Sequence, residues 1–548
     1  MQLQVSATDG KSRYIAVQPG DTLAQAVYLS GIFAPRPLCS GLGSCGLCRM
    51  RFVSAAPAAL PEDERILGPE AVALGWRLGC KHKPVPGDQV VVPESVEAAP
   101  LTAVRSASSD KSPETLFLAV DLGTTSLAWS ALEESIGDNA PLSIVRQGQE
   151  LNPQIGAGSD VLSRLSSAMA PGGEKRLQNV TLAVLRRIVA ELPAPVSRIC
   201  LAANTAMTAL TRGASVLGLT SAPYALEFRG NCEESLPDLP PIYFPPQISA
   251  FIGGDISAGL AFILTQKPKF PFLFADLGTN GEFVLVLSAA RSMAVSVPLG
   301  PALEGIGLSC GALAGVGGRA RVITGFELTP QGLRARTVAD EVASAPSSGD
   351  GENPPVYDGI SGTGYLSLAH ILRKLNLVRE DGRFNSSGAS ESELSPLAGR
   401  LAKQLRVEGR QAALALPGGL SLNGTDLEEL LKVKAAFSVA VHCLLSAAEL
   451  TPARVQNCYL AGALGKYVQV DDLFGLGFLP EALKPNRVNV VGNAALAGAE
   501  FLLGNEQARE AAVQWAAGAK TLNLTADKTF MRLYLNHMRF CFPPPDHV

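Results

Sequence analysis

Four of the ten cysteines stand apart from the rest. Cys39, Cys45 and Cys48 fall within one run, Cys39-Ser40-Gly41-Leu42-Gly43-Ser44-Cys45-Gly46-Leu47-Cys48, and Cys80 follows 32 positions later. Three thiolates on one loop can grip one face of a small metal–sulfur cluster while a fourth, from a distant element, closes it. Gly41, Gly43 and Gly46 permit positive φ and let backbone N–H groups point at sulfur, which stabilises added negative charge. The same donors suit a structural zinc ion, although zinc prefers two well-separated close pairs to a three-plus-one arrangement. Cys200, Cys232, Cys310, Cys443, Cys458 and Cys541 are scattered and read as small buried apolar residues.

A second chemistry is written twice. Asp121-Leu122-Gly123-Thr124-Thr125 and Asp276-Leu277-Gly278-Thr279-Asn280 each follow an apolar run and precede another, 155 residues apart. Each motif therefore belongs at the tip of a β-hairpin. Glycine allows the tight turn, the following N–H groups make an anion-binding concavity, and the hydroxyls add donors. The aspartate cannot take a phosphate directly, but it can hold Mg²⁺, usually through water. One such motif is also ordinary hairpin chemistry, so the repetition is what points to a phosphate clamp.

The elements that must position these groups follow from patterning. Residues 1–96 begin with two alternating runs, Pro19-Gly20-Asp21 and an amphipathic stretch from Thr22 to Ser30, which predicts a hairpin and then a helix. Residues 97–115, rich in Ala, Ser and Pro, form a flexible linker. Two further blocks are expected, 116–266 with a sub-boundary near residue 197, and 267–548. Leu427–Leu450 predicts one long helix with Thr425 and Glu428 as a capping box, and the tail from Ala511 to Met538 reads as helix, short strand, helix. Asn204 and Asp255 precede apolar periodic runs and are expected either to cap helices or to serve the nucleotide.

Composition excludes several classes. At 548 residues there is room for three or four domains, and 46 Lys+Arg against 50 Asp+Glu give a net charge of −4, with no general attraction for nucleic acid. The longest uncharged stretch, Leu239–Gly254, is short of a bilayer span and carries four prolines, so no membrane helix is expected. The start lacks the pattern of a secretory signal, which makes the cytoplasm the expected compartment. No histidine pair has zinc-ligand spacing.

The cysteine run resembles the plant- and adrenodoxin-type ferredoxins, with the adrenodoxin-like spacing between Cys39 and Cys45. Gly75-Trp76-Arg77-Leu78-Gly79-Cys80 resembles their closing Arg-Leu-Ala-Cys, Gly79 replacing Ala without expected harm. This implies a β-grasp domain holding one [2Fe–2S] cluster. The paired Asp-Leu-Gly-Thr segments resemble the two phosphate loops of the acetate/sugar kinase, actin and heat-shock ATPase superfamily. That implies a duplicated ribonuclease-H-like fold around Mg·ATP, in a multidomain α/β protein. The superfamily's adenosine loop resembles Asn457-Cys458-Tyr459-Leu460-Ala461-Gly462-Ala463-Leu464-Gly465. Gly123, Thr124, Thr125, Gly278, Thr279, Asn280, Asn204 and Gly462 to Gly465 are then the nucleotide residues.

Further blocks resemble the reductive activators of corrinoid proteins. They are Ala203-Asn204-Thr205-Ala206-Met207, Phe251-Ile252-Gly253-Gly254-Asp255, Gly300-Pro301-Ala302-Leu303-Glu304-Gly305, Gly359-Ile360-Ser361-Gly362-Thr363-Gly364 and Val491-Gly492-Asn493-Ala494-Ala495. This resemblance runs in order along nearly the whole chain. It implies ATP-coupled return of a Co(II) corrinoid to Co(I), with Asp121, Asp276, Asp255 and Glu304 as catalytic candidates. The chain has no Asp-x-His-x-x-Gly cobalamin motif, so cobalt must sit on a partner, and an electron donor must reload the cluster. A homodimer is expected. Two other readings stay open: an activator of another low-potential enzyme, and a redox-sensing ATP-binding regulator or chaperone. Because the linker leaves no rigid path from cluster to nucleotide, ATP is expected to act by remodelling the partner complex.

Overall fold

The computed structural model describes residues 1–7, 10–93, 113–134, 142–314, 320–342, 356–385, 395–408, 411–462, 467–524 and 529–544. Most of the 97–115 linker lies outside these residues. The chain forms two compact units, Met1–Ala261 with Ala495–Val513, and Phe262–Ala494 with Gln514–Val548.

The first unit opens with strands β1 (Gln2–Ser6), β2 (Ser12–Ala16), β3 (Arg49–Phe52), β4 (Trp76–Leu78) and β5 (Gln89–Val91), in the β-grasp order β2-β1-β5-β3-β4. Alternation puts Leu3, Val5, Ile15, Met50, Phe52 and Val90 on one face, where Leu23, Ala26 and Val27 of the Leu23–Tyr28 helix cover them. Thr22 and Gln25 cap that helix reciprocally.

The same unit continues with β6 (Leu116–Leu122), β7 (Ser126–Glu133), β8 (Ser143–Leu151), β9 (Val196–Ala203), β10 (Cys232–Glu234) and β11 (Ile242–Phe244), ordered β10-β11-β9-β6-β7-β8. β6, β7 and β8 are antiparallel, whereas β9 runs parallel to β6 and β11 parallel to β9. This is the ribonuclease-H-like order. Ala495, Ala499 and Leu502 bury against Ala119, Cys200, Ala202, Ala258 and Ala261. The expected 267–548 block is therefore interrupted, because the Ala494–Leu503 helix is too apolar to stand exposed and its small residues fit closely beside Ala258.

The second unit repeats the pattern. Strands β12 (Phe272–Leu277), β13 (Asn280–Ser288) and β14 (Arg291–Pro298) form an antiparallel meander. After two small sheets, β15 (Val322–Thr329), β16 (Gly332–Thr337) with β17 (Gly359–Ile360), and β18 (Leu405–Glu408), β19 (Gln411–Ala415) with β20 (Ser421–Asn423), come β21 (Asn457–Gly462), β22 (Val488–Gly492) and β23 (Ala519–Thr521). The sheet order is β22-β21-β12-β13-β14-β23, with β21 parallel to β12. The Gly424–Ala447 helix is long and apolar enough to cross a membrane, yet Leu427, Leu430, Phe437, Val441 and Leu444 lie in this unit's core. Its cap is Asn423 with Asp426, not Thr425 with Glu428. Asp426 also accepts from the Ser309 N–H and hydroxyl, at 2.8 and 2.9 Å, which fixes the helix cap two residues before Thr425. The tail forms the expected helix, short strand and helix, Glu506–Gly518, β23 and Phe530–His537.

Candidate functional site

The four cysteines line one cavity of the β-grasp domain. Ser40, Gly41, Gly43 and Gly46 all have positive φ, so the Cys39–Cys48 loop folds back on itself repeatedly. The turns aim N–H groups at sulfur: Ser44 and Cys45 donate to Cys39, Leu47 to Cys45, Gly43 to Cys80 and Cys80 to Cys48. The thiols stand as two pairs. Cys39, bonded by the Cys45 thiol, is pulled down to about 4, and Cys80 is lowered by the Cys48 thiol, while Cys45 and Cys48 are pushed up by donating and by burial. Among the described residues no three acidic, His or Cys side chains are gathered closely enough for one metal ion. Four thiols, three from one loop and the fourth from a distant element, are a donor set that an iron–sulfur cluster can use.

Gly79, where the ferredoxins have Ala, fits where a side chain would be crowded. A Cβ there would lie 2.9 Å from the Cys48 carbonyl, the group to which the Gly79 N–H donates at 2.9 Å. Behind Cys80, buried Asp63 accepts from the Leu78 and Leu60 N–H groups at 2.7 and 2.9 Å and meets His82 Nε2 at 2.7 Å. Burial opposes the Asp63 charge, but these bonds and His82 outweigh it and hold the carboxyl low.

A cavity of about 220 Å³ opens at the cysteines, its other wall formed by Ile155, Gly156, Ala157 and Gly158 of the first ribonuclease-H-like half. Ser40 Oγ meets Ser159 Oγ at 2.7 Å and donates to Asp160 Oδ2 at 3.0 Å, and the Ser159 N–H donates to Ser40 Oγ at 2.8 Å. Arg176 pairs with Asp21 at 2.7 Å. The expected isolation of the cluster loop behind its linker does not hold: apposed surfaces bring it to this half directly.

Both Asp-Leu-Gly-Thr segments are hairpin tips, Leu122 pairing with Leu127 and Leu277 with Gly281. In the first, the carbonyls of Gly123, Thr124 and Thr125 are drawn to one side by the Asn152 amide, the Arg164 guanidinium and the Asn152 N–H. A trans peptide sets N–H opposite C=O, so the Thr124 and Thr125 N–H groups face the other way. Arg164 has no exposed surface, which places a cation directly behind the loop. Asn204 caps the Thr205–Arg212 helix, its Oδ1 accepting from the Met207 N–H, and its Nδ2 donates to Thr124 Oγ1 of the first loop at 3.1 Å. Gly253 packs against Asn204 so closely that a Cβ would strike its backbone. Asp255 follows one residue inside the Gly254–Thr265 helix, accepting from Ile256 N–H at 2.8 Å rather than capping it.

The second loop is held differently. Leu299 and Gly300 N–H groups donate to the Thr279 carbonyl at 3.1 and 2.8 Å, and Thr279 Oγ1 donates to Glu304 at 3.3 Å. Burial pushes the Asp276 carboxyl up to about 6 against a Leu277 N–H bond. Gly462, φ +84°, lies so close that a Cβ would collide with Asp276 Oδ1 and the Leu277 carbonyl. Ala463, Leu464 and Gly465 lie outside the described residues. Asn152, Asp160 and Arg164 were not legible from sequence, because only the fold brings β8 and the following helix behind Gly123–Thr125.

A duplicated ribonuclease-H-like fold with a ferredoxin-type domain is thus the class this chain represents. Residues 271–544, half of the chain, match the C-terminal domain of RACo, the ASKHA domain, and residues 116–267 match the RACo middle region. The chain belongs to the RACo family. It is 25% identical over 460 residues to the corrinoid activation enzyme RamQ of Eubacterium limosum, covering 79% of this chain and 72% of that one. It is also 25% identical to the [Co(II) methylated amine-specific corrinoid protein] reductase of Methanosarcina barkeri, over 57% of this chain and 53% of that one. A 94-residue stretch is 32% identical to a component of the Na(+)-translocating NADH-quinone reductase of Actinobacillus succinogenes, covering 17% of this chain and 23% of that one. A solved reductive activator for corrinoid, iron-sulfur protein superposes over 98% of both chains with TM-score 0.64 at 19% identity, a likeness of fold.

Proposed function

We propose that this protein is an ATP-dependent reductive activator that returns a Co(II) corrinoid protein to Co(I). The observation that carries the reading is the joining, in one RACo-family chain, of a four-thiol site to two phosphate loops. The similarity to named corrinoid-activating relatives supports it. Cys39 with Cys45, and Cys48 with Cys80, would each hold one iron of a [2Fe–2S] cluster, which supplies single electrons at low potential, about −400 mV in plant-type centres. When bound there, the cluster would supply the single electron that Co(II) on the partner takes up, and a separate donor would restore it.

The chain's own residues do the rest. Thr124 and Thr125 N–H groups and hydroxyls bind phosphate in front of the buried Arg164 cation. In the first unit Asp121 would order Mg²⁺ through water, with Asp255 as a further carboxylate; in the second, Asp276 and Glu304 would take that role and Gly462 would let the adenosine side approach the backbone. Cobalt stays on the partner, the protein acts in the cytoplasm, and the active species is a homodimer. Mixing reduced protein, Mg·ATP and a Co(II) corrinoid protein should raise the Co(I) absorption band. Omission of ATP, or Cys45→Ser, should abolish it, and a Co(I) yield independent of both would overturn the reading.

A further inference from the structure

We propose that Asp160 and Arg164 are positioning residues that tie the first phosphate loop to the cluster loop, so that nucleotide occupancy shifts the reduction potential of the cluster. The proposal rests on the reading above, in which Gly123–Thr125 takes the nucleotide and the four cysteines hold the cluster.

The link is short and made of directional bonds. Arg164 donates through Nη2 to the Thr124 carbonyl and through Nε to the Gly158 carbonyl at 2.9 Å. It lies in the Val161–Ala168 helix, whose N-cap is Asp160. Asp160 Oδ1 accepts from Ser163 N–H at 2.9 Å, and its Oδ2 accepts from Ser163 Oγ at 2.5 Å and from Ser40 Oγ at 3.0 Å. Ser40 follows Cys39 directly. One helical turn therefore carries, at one end, the donor that fixes a phosphate-loop carbonyl and, at the other, the acceptor that fixes the residue beside a cluster ligand.

The segment is also stiff. Asn152 holds Gly123 and Thr125, and Gln154 is anchored to Leu177 and Thr181. Gly158 packs so tightly on Ser163 that a Cβ would not fit. A phosphate drawn to the Thr124 and Thr125 N–H groups pulls on peptides whose carbonyls this segment grips. The displacement reaches Ser40, and through it the N–H groups directed at Cys39 sulfur, which are among the determinants of a cluster's potential. Docking does not depend on Ser40 alone, because Arg176 separately holds Asp21 and the Gln25 carbonyl.

Linkage makes the proposal measurable from both sides: if nucleotide shifts the potential, oxidation state must shift nucleotide affinity by the same factor. A non-hydrolysable ATP analogue with Mg²⁺ is titrated by calorimetry into oxidised and reduced protein, partner absent, and the potential is measured with and without it. For the wild type we expect Kd to differ at least tenfold between oxidation states, matching a shift of about 59 mV. Ser40→Ala should keep the visible spectrum and the oxidised-state Kd within threefold but lose most of the shift, and Arg176→Ala should retain it. A full shift in Ser40→Ala, equal wild-type Kd values in both states, or loss of the shift in Arg176→Ala alone would overturn the proposal. Absence of analogue binding in either state would instead defeat the nucleotide reading, and the proposal with it.

Discussion

The two Asp-Leu-Gly-Thr loops share a sequence and a hairpin but not a setting. Each ends a central strand, β6 or β12, flanked by an antiparallel partner and by a parallel one. Behind the first loop stands the buried Arg164 cation, with Asn204 on its threonine. At the second, the Thr279 hydroxyl meets the Glu304 carboxylate instead, and desolvation raises the pKa of half-buried Asp276. Four identical residues thus fix a turn and leave its electrostatics to segments distant in sequence. In the proposed reading the first loop receives negative charge, and the second holds a cation that offsets its carboxylates.

The sharpest way to break this contrast is to remove the cation. Arg164→Met leaves the Thr124 and Gly158 carbonyls without their donor and should cost on the order of 3 kcal/mol in stability. ATP affinity should fall more than tenfold, read by denaturant unfolding and calorimetry. Unchanged affinity in a folded variant would show that the cation does not serve the loop.

The parallel neighbours offer a second test. Ala203 sits opposite Leu122 where Gly462 sits opposite Leu277. Gly462→Ala must place a Cβ against Asp276 from a left-handed backbone, at a cost of about 2 kcal/mol, and should abolish hydrolysis. Ala203→Gly should cost only about 1 kcal/mol. Equal effects of the two changes would erase the distinction between the halves.

A third test uses pH. Folding raises the Asp276 pKa from 3.8 to about 6, so its contribution is fully present below the unfolded value and is lost as pH rises through 6. Without Mg²⁺, Asp276→Asn should therefore be more stable than wild type at pH 7.5, by roughly 1–2 kcal/mol after allowing for solvent screening. The gain should vanish below about pH 4. Thermal melts across that range check it, and a constant difference would contradict the burial argument.

The smallest expected effect is at Asn204. Asn204→Asp keeps the acceptor that caps Met207 N but loses the donor to Thr124 Oγ1, so stability should move by less than about 0.5 kcal/mol while nucleotide affinity weakens several-fold. Asn204→Ala loses both and should cost about 1 kcal/mol. Matching affinities in the two variants would remove Asn204 from the phosphate site.

What the amino-acid order determined by itself is local. Cysteine spacing and interleaved glycines define a loop that turns N–H groups onto sulfur, because positive φ is a property of single residues. The Asp-Leu-Gly-Thr repeats define hairpin tips for the same reason, and the central strands of both halves follow from apolar runs that must be buried. Tertiary structure alone decided which charge stands behind each tip, because Arg164 reaches Thr124 only after a strand and a helix have folded back across it. It also decided that the Ala494–Leu503 helix joins the first unit, since close packing selects a partner surface by shape and small residues fit several patterns equally in sequence. Contact between Ser40 and Asp160, 120 residues apart, belongs to the same category. A hydroxyl beside a cysteine has no preferred partner until a surface of matching donors and acceptors is brought against it.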